Sequence, residues 1–245
     1  MTWELVYIVS GLAILPVLIW AIIASIRVTT TIERYHHVKA AGGITAKELV
    51  GRIAAENNLQ IRVELANEGT GDHYDPRDKA VRLTKKVMNS SSVSALAIAA
   101  HECGHALQDA ESYLPLRLRN LVIRVNNFSS RLLTPLIIIS LITSIFTMGM
   151  AAEVWVKWLL LSFCIIYGLS ALVSLITLPT EFNASRRGMQ MLDAMQMVAG
   201  KDERRAVKQV LRAAANTYVV AFAMSLVYFL RYLSYFMILF GRRRD

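Results

Sequence analysis

The stretch Ala99-Ala100-His101-Glu102-Cys103-Gly104-His105-Ala106-Leu107 decides how the rest of the chain is read. Two histidines stand four positions apart, with a glutamate beside the first and small or apolar residues around them. On a helix each residue turns about 100°, so His101 and His105 lie about 40° apart, one turn above the other. Two imidazoles so placed can hold one zinc ion, and Glu102 beside them can accept a proton from water. Cys103 falls about 200° from His101 and is expected to face packing. Gly104 costs about 1 kcal/mol against Ala inside a helix, which implies that another element approaches closely there. Asn89-Ser90-Ser91-Ser92 offers N-caps, and Val93 to Ala100 is the Ala- and Leu-rich run of a packed helix. The helix is expected over Ser92 to Ala110.

At 245 residues, 55% apolar and with a mean hydropathy of +0.42, the chain is too apolar for an ordinary soluble domain. Long apolar runs alternate with stretches dense in Arg and Lys, so the net charge of +9 reads as membrane topology. Nothing interleaves base-stacking aromatics with a basic stretch, and no nucleic-acid partner is expected. The two cysteines, Cys103 and Cys164, make no disulfide framework.

Leu5 to Ile26 is an apolar run long enough to cross a hydrocarbon core of ~30 Å, read as an uncleaved anchor in which Pro16 is tolerated. Ile44-Thr45-Ala46-Lys47-Glu48-Leu49 carries a capping box (Thr45, Glu48) and a hydrophobic staple, opening a helix to about Asn57. Leu59 to Leu65 alternates with period two, a half-buried strand. Gly69 to Asp78 is rich in turn formers, and a second strand follows from Lys79 to Thr84. Leu116 to Leu132 is amphipathic, with Arg117, Arg124 and Arg131 along one side. It suits either the bilayer surface or a soluble core with a basic face. Pro135 to Ala152 and Trp158 to Leu178 are two further spans, joined by a short link containing Glu153 and Lys157. A helix is expected to start after Pro179. Thr217 to Phe240 is a fourth span interrupted by Arg231, which is either a functional charge or one that snorkels or pairs.

These elements give a mainly α, integral-membrane fold of about four transmembrane helices, with a small α+β catalytic part. The parts are an anchor (1–26), a catalytic part (27–133), a transmembrane hairpin (134–178), a helix and basic segment (179–216) and a C-terminal segment with a basic tail (217–245). Arg27, Arg34, Lys39, Arg117, Arg119, Arg124, Arg131, Arg186, Arg187, Lys201, Arg204, Arg205, Lys208 and Arg212 crowd the side of the motif helix, against Lys157 and three tail arginines on the other. That excess places the catalytic side in the cytoplasm and the protein in the plasma membrane, multi-pass. Four spans leave the basic tail outside, a conflict that a re-entrant or shallow last segment around Arg231 removes.

A catalytic zinc needs a third protein ligand and leaves one position for water. Asp72, Asp75, Asp109, Glu111, Asp193 and Glu181 are candidates. Glu181 stands out for its place directly after a span, although a Glu in a first helical turn can equally serve the helix dipole. Three segments together, Gly71-Asp72-His73-Tyr74-Asp75-Pro76, Ala100 to Ala106, and Leu178-Pro179-Thr180-Glu181-Phe182-Asn183-Ala184-Ser185-Arg186-Arg187, resemble the bacterial neutral zinc metallopeptidase family, the YugP-like membrane zinc peptidases. The resemblance spans nearly the whole chain in the same order. More distantly it is similar to the HtpX-type and prenyl-protein membrane proteases.

The resemblance implies a zincin-like fold and a gluzincin-like peptidase with one Zn2+ per chain, held by His101, His105 and Glu181. Distant relatives carry an Asp four residues after the ligand Glu to steady a zinc-binding His. Ser185 stands at that place here, so the bond comes from Ser185, from Asn183 or from another group. His73 is either a donor to the tetrahedral oxyanion or a loop residue pairing with Asp72 or Asp75. Arg186 and Arg187 are either oxyanion donors or partners of Glu181 and nearby carboxylates. His36 and His37 read as solvated or interfacial. The strand before the motif helix, with Val81, Arg82 and Leu83, is the candidate open edge for an extended peptide substrate. The reading is therefore a membrane-bound zinc endopeptidase with Glu102 as general base, acting on membrane or unfolded proteins near the inner membrane face. Its rival is a membrane scaffold with a structural or inactive zinc site. A transporter is disfavoured because the spans hold almost no ionisable residues besides Arg231.

Overall fold

A computed structural model describes residues 2–146 and 151–241. The chain is mostly helical: α1 (Trp3–His36), α2 (Ala46–Glu56), β1 (Arg62–Leu65), β2 (His73–Asp75), β3 (Ala80–Leu83), α3 (Lys85–Met88), α4 (Val93–Ala110), α5 (Leu114–Arg131), α6 (Leu133–Phe146), α7 (Ala151–Ala194) and α8 (Gly200–Phe240). It divides into two compact units. One draws on residues up to Ile22, from Leu118 to Ile176 and from Tyr218 on; the other on Ile23–Arg117 and Thr177–Thr217.

The second unit carries the motif helix. α2 starts at Thr45, whose side chain accepts from the Glu48 amide while the Glu48 carboxylate accepts from the Thr45 amide at 2.8 Å. Its Leu49, Val50 and Ile53 are fully buried with Val81, Leu83, Leu96, Leu192, Val207 and Val210. Burying such a side chain contributes about 1.5–3 kcal/mol, so this core fixes α2 and the sheet against α4. Ser92 caps α4 by accepting from the Ala95 amide at 3.2 Å. The segment after α1 laces onto that cap, with the Ala40 and Ala46 amides donating to the Ser91 and Ser90 carbonyls at 2.9 Å each.

The sheet has three strands in the order β1-β3-β2, with β1 parallel and β2 antiparallel to β3. This corrects the expected open edge: the strand holding Val81, Arg82 and Leu83 is the central one, hydrogen-bonded on both sides. Val81 and Leu83 are fully buried, and Arg82 pairs with Glu64, Asp75 and Asp78. Two long-range partners claim its backbone, so it has none to offer a substrate. The free edge nearest the motif helix belongs to β2, a strand hidden in the turn-rich segment.

The first unit holds the apolar helices. Three helices among the described residues are long and apolar enough to cross a membrane: Trp3–His36, Val154–Ala194 and Gly200–Phe240. The expected span at Pro135–Ala152 falls partly outside the described residues; its described residues lie in the 14-residue α6 and at the start of α7. Glu153 and Lys157 are not in a link, because α7 is already helical from Ala151. Nor does a helix begin after Pro179. α7 runs through that proline without a break, as membrane helices tolerate when only one backbone hydrogen bond is lost, so Glu181 is not in a first turn. Within this unit Phe163 and Tyr167 of α7 stack on Tyr232 and Tyr228 of α8, with ring centroids 4.8 and 5.1 Å apart. Arg231 sits over the Tyr7 ring at 4.3 Å and donates to the Tyr7 carbonyl and hydroxyl at 3.3 and 3.1 Å, so its charge is paired within this unit. The three tail arginines lie outside the described residues.

Candidate metal centre

The centre is built where α4 meets the segment of α7 after Pro179. Glycine occupies both sides of the contact. A Cβ on Gly104 would overlap the backbone of Ala184, and one on Gly188 would come 2.8 Å from the Ala100 carbonyl oxygen. The two backbones therefore nearly touch, which is the close approach that Gly104 implied. Cys103 is fully buried among apolar residues, away from the metal candidates.

That contact brings His101, His105 and Glu181 together. Their ligand atoms all lie within 4.8 Å of one another. The Glu181 oxygens stand 3.2 Å from His101 Nε2 and 3.6 Å from His105 Nε2. The two rings are edge to face with centroids 4.8 Å apart. Two imidazole nitrogens and a carboxylate form the donor set of a three-ligand zinc site. Tetrahedral bonds of about 2.1 Å put ligand atoms about 3.4 Å apart, and the observed spacings bracket that value, so the residues fit the metal. The other candidate carboxylates are engaged elsewhere. Asp72 accepts from the Thr84 amide, Asp75 from Arg77 and Arg82, Asp109 from Tyr74 and Lys79, Glu111 from Arg187 and Asp193 from Arg204.

Glu102 is buried, and loss of water pushes its carboxyl up to about 7. Its Oε2 accepts from the Tyr74 amide at 2.9 Å. Tyr74 is the middle residue of β2, opposite Val81, and this amide turns away from β3 towards α4. The motif glutamate thus sits on the open side of the edge strand. Tyr74 is held there by its hydroxyl, which donates to Asp109 at 2.8 Å. The strand itself is pinned by Asp75, buried between Arg77 and Arg82, each 2.9 Å away. The Arg77 guanidinium, chiefly, holds the Asp75 carboxyl well below the usual carboxylate range.

His73 precedes Tyr74 on the same strand. Its Nδ1 lies 2.8 Å from the Gly71 carbonyl, which can only accept, so Nδ1 carries a proton. His73 therefore shapes the turn, but through Gly71 rather than Asp72 or Asp75. Ser185 Oγ is 3.1 Å from His101 Nδ1. Asn183 does not touch either histidine; its Oδ1 accepts from Arg187 Nε at 2.6 Å, and Arg187 pairs with Glu111 at 2.6 Å. Arg186 is exposed and lines a cavity of about 500 Å³ with Leu107, Glu111 and Met191. One participant went unnoticed in the sequence. Gln108, fully buried, sets Oε1 3.0 Å from His105 Nδ1 and donates from Nε2 to the Thr180 carbonyl and to Asn183 Oδ1. The available signal was a polar residue one turn beyond His105, on the side of α4 that meets α7.

No solved structure matches the chain. A curated protein of Bacillus subtilis (strain 168), described as "Putative membrane protease YugP", is 35% identical over 236 residues, 95% of this chain and 97% of its own length. The family described as "Putative neutral zinc metallopeptidase" matches residues 10–237, and the chain belongs to that family.

Proposed function

We propose that the chain is a multi-pass membrane zinc endopeptidase of the plasma membrane, with one Zn2+ held by His101, His105 and Glu181 on the cytoplasmic side. Zinc bound there supplies a Lewis acid that polarises a peptide carbonyl and acidifies water. The remaining work belongs to the chain. Glu102 takes the proton of the attacking water and passes it to the leaving amine. His73 joins this step as an oxyanion donor through Nε2 only when its ring is doubly protonated, because Nδ1–H is already given to Gly71.

The observation that carries the reading is the hydrogen bond between Glu102 and the outward amide of Tyr74. It sets Glu102 beside an open strand edge, which supports its reading as general base. An extended peptide lying along β2 brings its main chain past Glu102 and pairs by donating its amides to the strand's outward carbonyl, because the Tyr74 amide is already given to Glu102, and main-chain pairing makes cleavage tolerant of sequence. Membrane proteins and unfolded segments near the inner membrane face are the substrates that fit an anchored, sequence-tolerant protease.

The test is wild type against Glu102→Gln, purified in detergent, with metal content and casein cleavage measured together. The protease loses turnover on substitution and keeps its zinc. Equal cleavage by both proteins would falsify the assignment, and a zinc-loaded wild type without any cleavage returns the scaffold reading.

A further inference from the structure

We propose that Gln108 is a positioning residue for His105, and that Arg187 sets the orientation of Gln108 through Asn183. The inference rests on reading His101, His105 and Glu181 as a zinc site.

The argument is one of donors and acceptors. An amide side chain can usually be turned over, exchanging its oxygen and nitrogen. Here both ends of the chain of contacts are fixed. The Thr180 carbonyl can only accept, and it lies 2.8 Å from Gln108 Nε2. The Arg187 guanidinium can only donate, and its Nε lies 2.6 Å from Asn183 Oδ1. Asn183 must therefore present oxygen to Arg187, and the same oxygen receives Gln108 Nε2 at 3.0 Å. Turning Gln108 over would set its oxygen against two other oxygens in a site with no water access. One orientation remains, with Oε1 on His105 Nδ1 at 3.0 Å. An oxygen at that position requires the proton of His105 to sit on Nδ1. The lone pair then lies on Nε2, the nitrogen that faces Glu181.

His101 is held differently. Its Nδ1 meets the Ser185 hydroxyl at 3.1 Å, a group that donates or accepts with equal ease. Ser185 orients the ring without dictating its tautomer. The two imidazoles of the motif are thus unequally prepared, and His105 is the one supplied in the metal-binding form by the surrounding protein. Arg187 is in turn neutralised by Glu111 and rests over the Tyr113 ring at 5.9 Å. A surface ion pair is thereby linked to the metal centre through two amides.

The experiment measures zinc affinity by chelator competition, the visible spectrum of the cobalt(II)-substituted protein, and thermal unfolding of the metal-free protein, on the full chain in detergent. Gln108→Met keeps length and removes both hydrogen-bonding functions. It is expected to weaken zinc binding by about 10–100-fold and to change the cobalt spectrum. Gln108→Glu keeps an oxygen for Nδ1 but sets its second oxygen against those of Thr180 and Asn183, so it is expected to recover only part of the affinity and to lower the unfolding temperature of the metal-free protein. Arg187→Met, remote from the metal, is expected to weaken binding several-fold; it carries the test should Gln108→Met fail to fold. A wild type that binds no zinc overturns the metal-site reading itself. A zinc-binding wild type whose folded Gln108→Met, or else Arg187→Met, matches it in affinity and cobalt spectrum overturns the positioning role alone. A structural role would lower only the unfolding temperature.

Discussion

Gly104 of α4 lies against the backbone of Ala184 on α7, at a distance that leaves no room for a side chain on the glycine. The contact sets the separation of the two helices that carry the metal candidates, and its consequences can be measured.

Gly104→Ala places two effects in opposition. Alanine favours the helix by about 1 kcal/mol, while overpacking a tight contact costs about 1–3 kcal/mol. Backbone atoms cannot swing aside as a long side chain would, so the overpacking wins. The expected outcome is a lower unfolding temperature together with loss of tight zinc binding, since Glu181 moves with α7. A variant with unchanged zinc affinity would show that the helices part without disturbing the centre.

Asp75 makes part of the stability depend on pH. Its carboxyl is held below the usual range in the folded protein, mainly by Arg77. The contribution is therefore complete above the unfolded value of about 3.9 and is lost as pH falls through the lower folded one. Asp75→Asn should destabilise by about 1–3 kcal/mol at pH 7, the usual cost of leaving buried partners unsatisfied. The gap between variant and wild type should narrow below about pH 4, as read from unfolding temperatures across pH.

Cleavage along β2 makes a prediction about substrates. Methylating the peptide nitrogens flanking the scissile bond removes strand pairing and should lower kcat/KM at least 10-fold, one hydrogen bond being worth about 1.4 kcal/mol or more when charge-assisted or unsatisfied. Exchanging side chains at the same positions should matter less. A protease indifferent to methylation does not use this edge.

In the apolar unit, Gly11 leaves the space that the Arg231 guanidinium enters to reach Tyr7. Gly11→Ala displaces a flexible side-chain end, so it acts by breaking the arginine's contacts. Gly11→Ala and Arg231→Met should then be non-additive in unfolding free energy, with a coupling of about 0.5–3 kcal/mol. Strict additivity would mean that Tyr7 does not hold the charge.

What could be read from the sequence was local. The Thr45–Glu48 capping box, the Ser92 cap and the span of α4 are decided by neighbours a turn away. Gly104 is legible because glycine in a helix needs a reason. The sheet is different. β2 is three residues among Gly, Asp and Pro, and its strand character comes from pairing with β3, which propensity cannot show. The same pairing makes β3 central and removes Val81, Arg82 and Leu83 from any substrate's reach. Gln108 carries no local signal of its contacts, since its partners Thr180 and Asn183 belong to a distant segment. Pro179 suggested a helix boundary, and only the tolerance of a long apolar helix for one missing hydrogen bond carried α7 through it.

The unbroken course of α7 also sets the order in which the three metal candidates come together. Both imidazoles of α4 leave the ribosome before the carboxylate of Glu181, which arrives on a helix that begins as an apolar candidate span. A chain halted ahead of that helix holds two of the three side chains, so the set is completed late in synthesis.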